Sequence, residues 1–429
     1  MKANQTTLAE LPIDTWIFLA VFAGYAFVYH EALPIASLMF ILFFLYFLSD
    51  HLLPPALNDR VKIFIVMTCV GIFAVGAGVV YMMLRHLTQP YLFVHDGLIQ
   101  TEEAIKFLLA GKNPYVENYT DTPMVYWKFQ LGDLTENPAL YHNPYLPFLF
   151  LFLLPFYLAS QQLFGWFDGR MVFLPQFIVV LVLLARWVKD KRRRNALFLL
   201  IALNPFFTPF LLDGRNDVFV LFWIVVSVAF LQSKRERLAM LTLGFACASK
   251  WTAWFILPFY ALYLFQPPVS NLGLWLRNRW HTCLGQWVPW LVTVVLILLP
   301  FFLWQPSAFI DDVWNYQNGT SQFAPYPISG YGFNILARAA GLLPPDVTHS
   351  PFEILQWIVG LPLLAVLMWR QLKNNTLSQM WRAYGMLIGT MGFFSHTLND
   401  SHIGFILVLF ALAAFTDDSS ALNEGDVVP

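Results

Sequence analysis

Residues 61–84 read Val-Lys-Ile-Phe-Ile-Val-Met-Thr-Cys-Val-Gly-Ile-Phe-Ala-Val-Gly-Ala-Gly-Val-Val-Tyr-Met-Met-Leu, with Lys62 the one charge in the run. A bilayer core needs about 20 residues of helix, so this stretch fits a membrane span. Runs of the same kind recur from end to end, at 13–29, 32–48, 171–188, 195–212, 216–232, 238–249, 251–265, 285–304, 352–369, 381–397 and 401–416, giving about twelve spans with 61–84. The chain is 58% hydrophobic and 12% charged, against about 25% charged for a soluble domain. The expected fold is all-α: a polytopic transmembrane helical bundle forming a single integral-membrane domain over 1–429.

Charge sets the expected orientation. A net charge of -1 gives no footprint for nucleic acid, and the basic residues sit in short clusters between apolar runs. Arg60 with Lys62, 189–194, 234–237, Arg277 with Arg279, and 370–382 should face the cytoplasm. The loops 85–143 and 305–351 then fall outside. Cys69, Cys247 and Cys283 show neither disulfide nor zinc spacing. The first run lacks a cleavage site and reads as a retained span, with no signal peptide.

Two stretches strain the count. Residues 144–164 are long enough to cross, but a crossing there would put 189–194 outside. With Pro147 and Pro155 able to break a helix, the segment reads as an interfacial or re-entrant element, a spanning helix being the alternative. Residues 238–265 read as two short helices parted near Ser249-Lys250-Trp251, a break that suits a wet cavity.

Directly after the 61–84 run comes the polar segment 94–115, holding His95, Asp96, Glu102, Glu103 and a lysine. Charge beside a bilayer is costly unless used, which marks this as the leading candidate site. Leu98, Ile105, Leu108 and Leu109 suit a short amphipathic helix lying on the membrane, capped by Asp96 and ended by Gly111 and Pro114. Capping and catalysis are both open to Asp96. Two Asn-Pro-Tyr triplets follow, Asn113 to Tyr115 and Asn143 to Tyr145 after His142, as turns or as a sugar-lining surface. Asp213, Arg215 and Asp217 form either an ion-pair network or a ligand site. Lys250 either snorkels to the interface or holds an anion. His396 lies in a cluster, 395–402, that reads as a wet turn first and a site lining second, with no full metal-ligand spacing. The aromatic-rich 304–331 stretch suits an interfacial belt or the rim of a carbohydrate cleft.

The order His95-Asp96-Gly97, an amphipathic helix, Gly111-Lys112-Asn113-Pro114-Tyr115, Tyr145-Leu146-Pro147, Asn204-Pro205, Gly214-Arg215-Asn216-Asp217 and Ala248-Ser249-Lys250 resembles the GT-C integral-membrane glycosyltransferases. The resemblance is to their polyprenol-phosphate-mannose-dependent mannosyltransferase branch. It covers 61–265, which would be the catalytic module with outer loop 85–143, leaving 266–416 as C-terminal helices with outer loop 305–351. Two helices before the acidic loop depart from the simplest family layout, and relatives often carry Gln at the position of Arg215.

The resemblance implies transfer of a sugar, mannose favoured, from a polyprenyl-phosphate-linked donor to a lipid, glycan or protein acceptor, with Asp96 as general base. On that footing Lys250 and Arg215 would hold the donor phosphate. His95, Glu103, Asn113, Tyr115, His142, Asn143, Tyr145, Asp217 and His396 would contact substrate. No cofactor is expected; a divalent metal has no clear ligand spacing behind it. The expected location is a bacterial or archaeal plasma membrane with the site facing outward; the sequons at Asn118 and Asn318 do not establish a eukaryotic source. A secondary transporter is the alternative, although no repeat is visible and most polar clusters sit at span ends. A non-catalytic envelope scaffold is the third reading.

Overall fold

The structure, a computed structural model, describes residues 11–28, 33–131, 134–344, 347 and 349–416. In chain order the helices are α1 (Ile13–Val28), α2 (Leu33–Leu52), α3 (Pro55–Cys69), α4 (Ala77–Leu87), α5 (Asp96–Leu109), α6 (Phe148–Phe164), α7 (Arg170–Trp187), α8 (Lys191–Ala202) and α9 (Thr208–Leu212). There follow α10 (Asp217–Gln232), α11 (Glu236–Cys247), α12 (Leu257–Phe265), α13 (Leu272–Trp304), α14 (Pro306–Ile310), α15 (Phe333–Ala339), α16 (Ile354–Lys373), α17 (Leu377–Phe393) and α18 (Asp400–Phe415). The sheet among the described residues is two short parallel strands, β1 (Ser329–Gly330) and β2 (Thr397–Leu398). The all-helical expectation holds.

Five described helical runs are long and apolar enough to cross a membrane: Pro34–Leu52, Pro55–Leu87, Arg170–Trp187, His281–Trp304 and Ile354–Lys373. Apolar side chains also face outward, among them Phe40 on α2, Leu296 on α13 and Ile358 on α16. A helix that is apolar all round needs protein or lipid on every side. Inside, α1 packs on α2 and α8, α18 joins α8 to α17, and α17 meets α16. Elsewhere α10 lies between α7 and α11, with α13 against α11. One cluster of buried apolar side chains runs through these elements from Phe18 to Phe415.

The break near Lys250 is present. α11 stops at Cys247, and a 3-10 turn, Trp251–Ile256, leads into α12. Three expectations need correction. The 195–212 run is not one helix: it ends at Ala202 and resumes at Thr208, because Pro205 pushes Asn204 out of the helical region. Asn204 caps the gap, its Oδ1 accepting the Phe206 N–H at 2.9 Å. Residues 148–164 are not broken: Pro147 sits at the cap, Pro155 is carried inside a continuous helix, and Gly165 in the left-handed region ends it. α5 does not lie half-exposed as an amphipathic surface helix, since every residue from Asp96 to Ile105 is buried. Its polar face is enclosed because neighbouring loops supply partners. Gln100 Nε2, for instance, donates to Ala139 O at 2.7 Å.

Candidate functional site

The site is built where the 85–143 and 305–351 segments meet the start of α10, the break after α11 and the start of α18. α5 enters it at its N-terminus. His95 N–H donates to Asp213 O at 2.8 Å, tying the start of α5 to the turn between α9 and α10. Gly97 leaves room for the Tyr145 hydroxyl, which any side chain at that position would strike. Gly214 does similar work in that turn: its φ is +85°, and a Cβ there would meet Leu98 Cδ2 at 2.5 Å.

Asp96 is the first helical residue, and His95, not Asp96, occupies the cap position. Asp96 Oδ1 accepts the Gly97 N–H at 2.7 Å, and Oδ2 accepts from Asn137 Nδ2 at 2.7 Å. His95 Nδ1 lies 2.7 Å from the same Oδ1 and 3.1 Å from Gly97 N. The Gly97 N–H is already committed to the carboxylate at the shorter distance, so Nδ1 carries a proton and donates to Asp96. Burial pushes the Asp96 pKa up. The His95 charge and hydrogen bond, Asn137 and the Gly97 amide together outweigh burial and hold it below the ordinary carboxylate value. Asp96 is thus an anion fixed on both oxygens at a helix N-terminus.

Lys250 lines the same cavity as Asp96, at the break between α11 and α12. Its Nζ donates to Asp217 Oδ1 at 2.6 Å and Asn216 Oδ1 at 3.1 Å. Arg215 Nη1 reaches Ser401 Oγ at 3.0 Å and Asp400 Oδ1 at 3.3 Å, and its guanidinium stacks 4.3 Å from the Phe210 ring. Asp96, Arg215 and Lys250, with His95, Tyr145 and Asp217, line one cavity of about 610 Å³. Among its lining residues, Arg215 Nε and the Tyr316 hydroxyl are buried with no hydrogen-bond partner among the described residues. A second cavity of about 280 Å³ shares Tyr145, Asp217, Lys250 and His402 with the first, and is otherwise dominated by Trp251, Phe255, Trp314, Trp357, Ile388 and Met391. A polar chamber and an apolar groove therefore share the wall that carries Lys250.

The other sequence candidates fall at different distances from this chamber. His396 lines the apolar groove, with Nε2 2.7 Å from Tyr326 O; burial lowers its pKa to about 4, leaving it neutral at pH 7 with Nε2 as donor. Asn113 and Asn143 close Asx turns, their Oδ1 atoms accepting from Tyr115 N at 3.1 Å and Tyr145 N at 3.3 Å. The Tyr115 hydroxyl donates to Tyr145 O at 2.7 Å, so it supports the wall from behind. His142 is buried between loops, its Nδ1 2.9 Å from Asp312 Oδ1 and its Nε2 2.8 Å from Phe323 O. Glu103 pairs with Lys106 at 2.6 Å and faces a separate cavity of about 230 Å³ on the other side of α5. Glu102 faces that cavity as well, bound to Arg85.

Three ligand atoms, from His142, Asp311 and Asp312, lie within 4.8 Å of one another. His142 is already bonded to Asp312, whose second oxygen accepts the Asn143 N–H at 2.7 Å. That donor set works as a latch between the two long loops. Tyr316 and Tyr326, from the aromatic-rich 304–331 stretch, and Asp400, from the 395–402 cluster, complete the chamber, while Asn137, the partner of Asp96, escaped sequence reading because an Asn-Pro pair carries no motif of its own. Comparison with models of known protein families and with curated proteins yields no match to this chain.

Proposed function

We propose that the protein is a membrane-embedded glycosyltransferase that moves a sugar from a polyprenyl-phosphate-linked donor to an acceptor hydroxyl by a single inverting displacement. The observation that carries this reading is the seam at Lys250. An apolar groove suits an isoprenoid tail, a polar chamber suits a sugar, and an ammonium where they join suits the phosphate between them. The motif likeness favours mannose and an outward-facing site.

The residues divide the work. Asp96, held below its ordinary pKa, is ionised at neutral pH and takes the proton from the acceptor hydroxyl. The acceptor oxygen forms its bond to the anomeric carbon as the bond from that carbon to the phosphate oxygen breaks. The electron pair leaves with the polyprenyl phosphate, whose charge grows from one negative to two while Asp96 becomes neutral. Lys250 and Arg215 balance the growing phosphate charge. Because phosphate is a good leaving group, alignment behind the anomeric carbon supplies much of the acceleration. A base of low pKa is adequate when position is its main contribution.

Single-turnover transfer from a polyprenyl-phosphate sugar tests the reading, with wild type and Asp96→Asn compared at equal donor binding. Near-normal transfer by the variant rejects the role of Asp96. Sugar counterflow in proteoliposomes without transfer would replace the enzyme by a transporter.

A further inference from the structure

We infer that Arg170, which lies outside the chamber, is a positioning residue for Asp96: its one guanidinium clamps the two loops whose junction sets where α5 begins. This rests on the proposed role of Asp96 as base. Arg170 is fully buried at the first turn of α7. Its Nη1 donates to Phe93 O at 2.7 Å and to Leu212 O at 2.6 Å. Phe93 lies three residues before Asp96, and Leu212 precedes Asp213, whose carbonyl receives the His95 N–H. The remaining donors are bound by Asp168, Nε to Oδ1 at 2.8 Å and Nη2 to Oδ2 at 2.6 Å.

Asp168 is shared. Its Oδ2 also accepts from Arg85 Nη1 at 2.9 Å, and Arg85 Nη2 donates to Glu102 Oε2 at 2.7 Å. Glu102 Oε1 takes the Gly169 N–H at 3.0 Å, so the lattice returns to α5 almost two turns beyond Asp96. Two arginines and two carboxylates cancel, and every arm holds backbone or helix. The clamp also accounts for Phe93, a non-glycine residue at φ +56°, in a region that L-residues avoid unless their surroundings enforce it. Planar, multiply donating geometry is what an arginine supplies and a lysine does not.

Arg170→Lys keeps the charge and removes the fork. The groups facing Asp96 are His95, Tyr145, Tyr316 and Tyr326, with Lys128, Arg215, Asp217, Lys250, Asp400 and His402 on the chamber walls, and this change alters none of them. A moved acid limb therefore reports displacement of Asp96 from His95, Asn137 and the Gly97 amide.

The expected result is kcat lowered by about tenfold or more with donor KM unchanged, and the acidic limb of the kcat profile moved to higher pH. A lower kcat with an unmoved limb would mean fewer folded molecules and overturn the inference, as would wild-type behaviour. Phe93→Gly, which relaxes the same loop without touching a charge, provides the check if Arg170→Lys fails to fold; it should move the limb in the same direction by less. Infrared titration of the carboxylate band that Asp96→Asn removes separates the two claims. A band that shifts in Arg170→Lys in a protein without transferase activity keeps the clamp and rejects the enzyme. A band and limb that stay fixed in an active, Asp96-dependent enzyme reject the clamp alone.

Discussion

Two carboxylate-paired lysines, Lys62 and Lys250, are enclosed to different degrees. Lys62, in α3, is 2% exposed; its Nζ lies 2.7 Å from Asp50, 3.3 Å from Asp14 and 3.0 Å from Thr15, and 4.5 Å from the centre of the Tyr46 ring. Tyr46 in turn donates to Asp14 at 2.6 Å, and no described cavity touches the cluster. Lys250 is 19% exposed and holds a single carboxylate beside two joined cavities. Both lysines meet the rule that charge inside a membrane protein must be paired. Access separates them: the Lys62 cluster ties α1, α2 and α3 together, whereas Lys250 keeps a side open to a ligand.

The largest expected effect lies on the open side. Asp96→Asn keeps the hydrogen-bonding shape and removes the proposed base, so on that proposal transfer should fall by roughly 10²–10⁴-fold with donor binding retained, read by single-turnover kinetics. Loss of donor binding in place of rate would move Asp96 from chemistry to recognition and blur the contrast with Lys62.

Removing either lysine tests the contrast directly. Lys62→Met strands two buried carboxylates and should cost about 3–5 kcal/mol of stability, seen as a lowered thermal midpoint in detergent. Replacing the whole group with apolar residues, Lys62→Met with Asp14→Leu and Asp50→Leu, should recover most of that loss and leave transfer intact. For the other lysine, Lys250→Met with Asp217→Leu should also fold, yet transfer should remain lost. Activity in that double variant would make Lys250 another Lys62.

The same contrast explains what the sequence made legible. Long apolar runs announced the helices, since a bilayer demands them wherever they fall. The break at Lys250 was legible because a lysine between two apolar runs, the second opening on Trp251 and Trp254, has few other uses. Pro155 and Pro205 could not be ranked from sequence: one is carried within a helix whose neighbours compensate, while the other follows Asn204, which caps the gap it creates. Asp96 stood out as charge after a span, but its partner Asn137 lies 41 residues on. Asp312 is 170 positions from His142, too far for any spacing rule. The Lys62 cluster was hidden further, because Asp14 and Asp50 look like ordinary span-end charges until three helices bring them together.

The latch between the two long loops gives a smaller, pH-dependent effect. Burial pushes Asp312 up to about 6, and its bonds to His142 and the Asn143 amide offset only part of that. Burial lowers His142, but the Asp312 bond, the Phe323 carbonyl and the acidic neighbours more than reverse this, leaving it above its ordinary value. Both groups bind protons more tightly folded than unfolded. Their contribution is complete below about pH 4, declines as pH rises through about 6, and is spent once His142 has lost its proton. For Asp312 the decline amounts to at most about 3 kcal/mol. Other carboxylates have the opposite trend, so the measurement is a difference: thermal midpoints at pH 5 and pH 8 for wild type against His142→Gln with Asp312→Asn. The wild type should lose more between the two pH values than the double variant; an equal loss would mean the latch does not titrate.

The smallest effect belongs to the groove and carries the contrast from charge to lipid. Trp357 lines the apolar cavity from α16 and is half exposed, so truncation removes contact area without emptying a packed core. At about 25 cal/mol per Å² of apolar surface, losing several tens of Å² of tail contact in Trp357→Ala costs on the order of 1–2 kcal/mol. The KM for a long-chain donor should then rise about five- to thirtyfold, while a donor with a truncated, water-soluble tail should keep its lower affinity unchanged. An equal rise for both would place Trp357 against the sugar or the fold, and the apolar cavity would cease to be the tail's path. If instead only the long-chain donor weakens, Lys250 is flanked by a sugar on one side and lipid on the other, surroundings that the sealed Lys62 cluster does not offer.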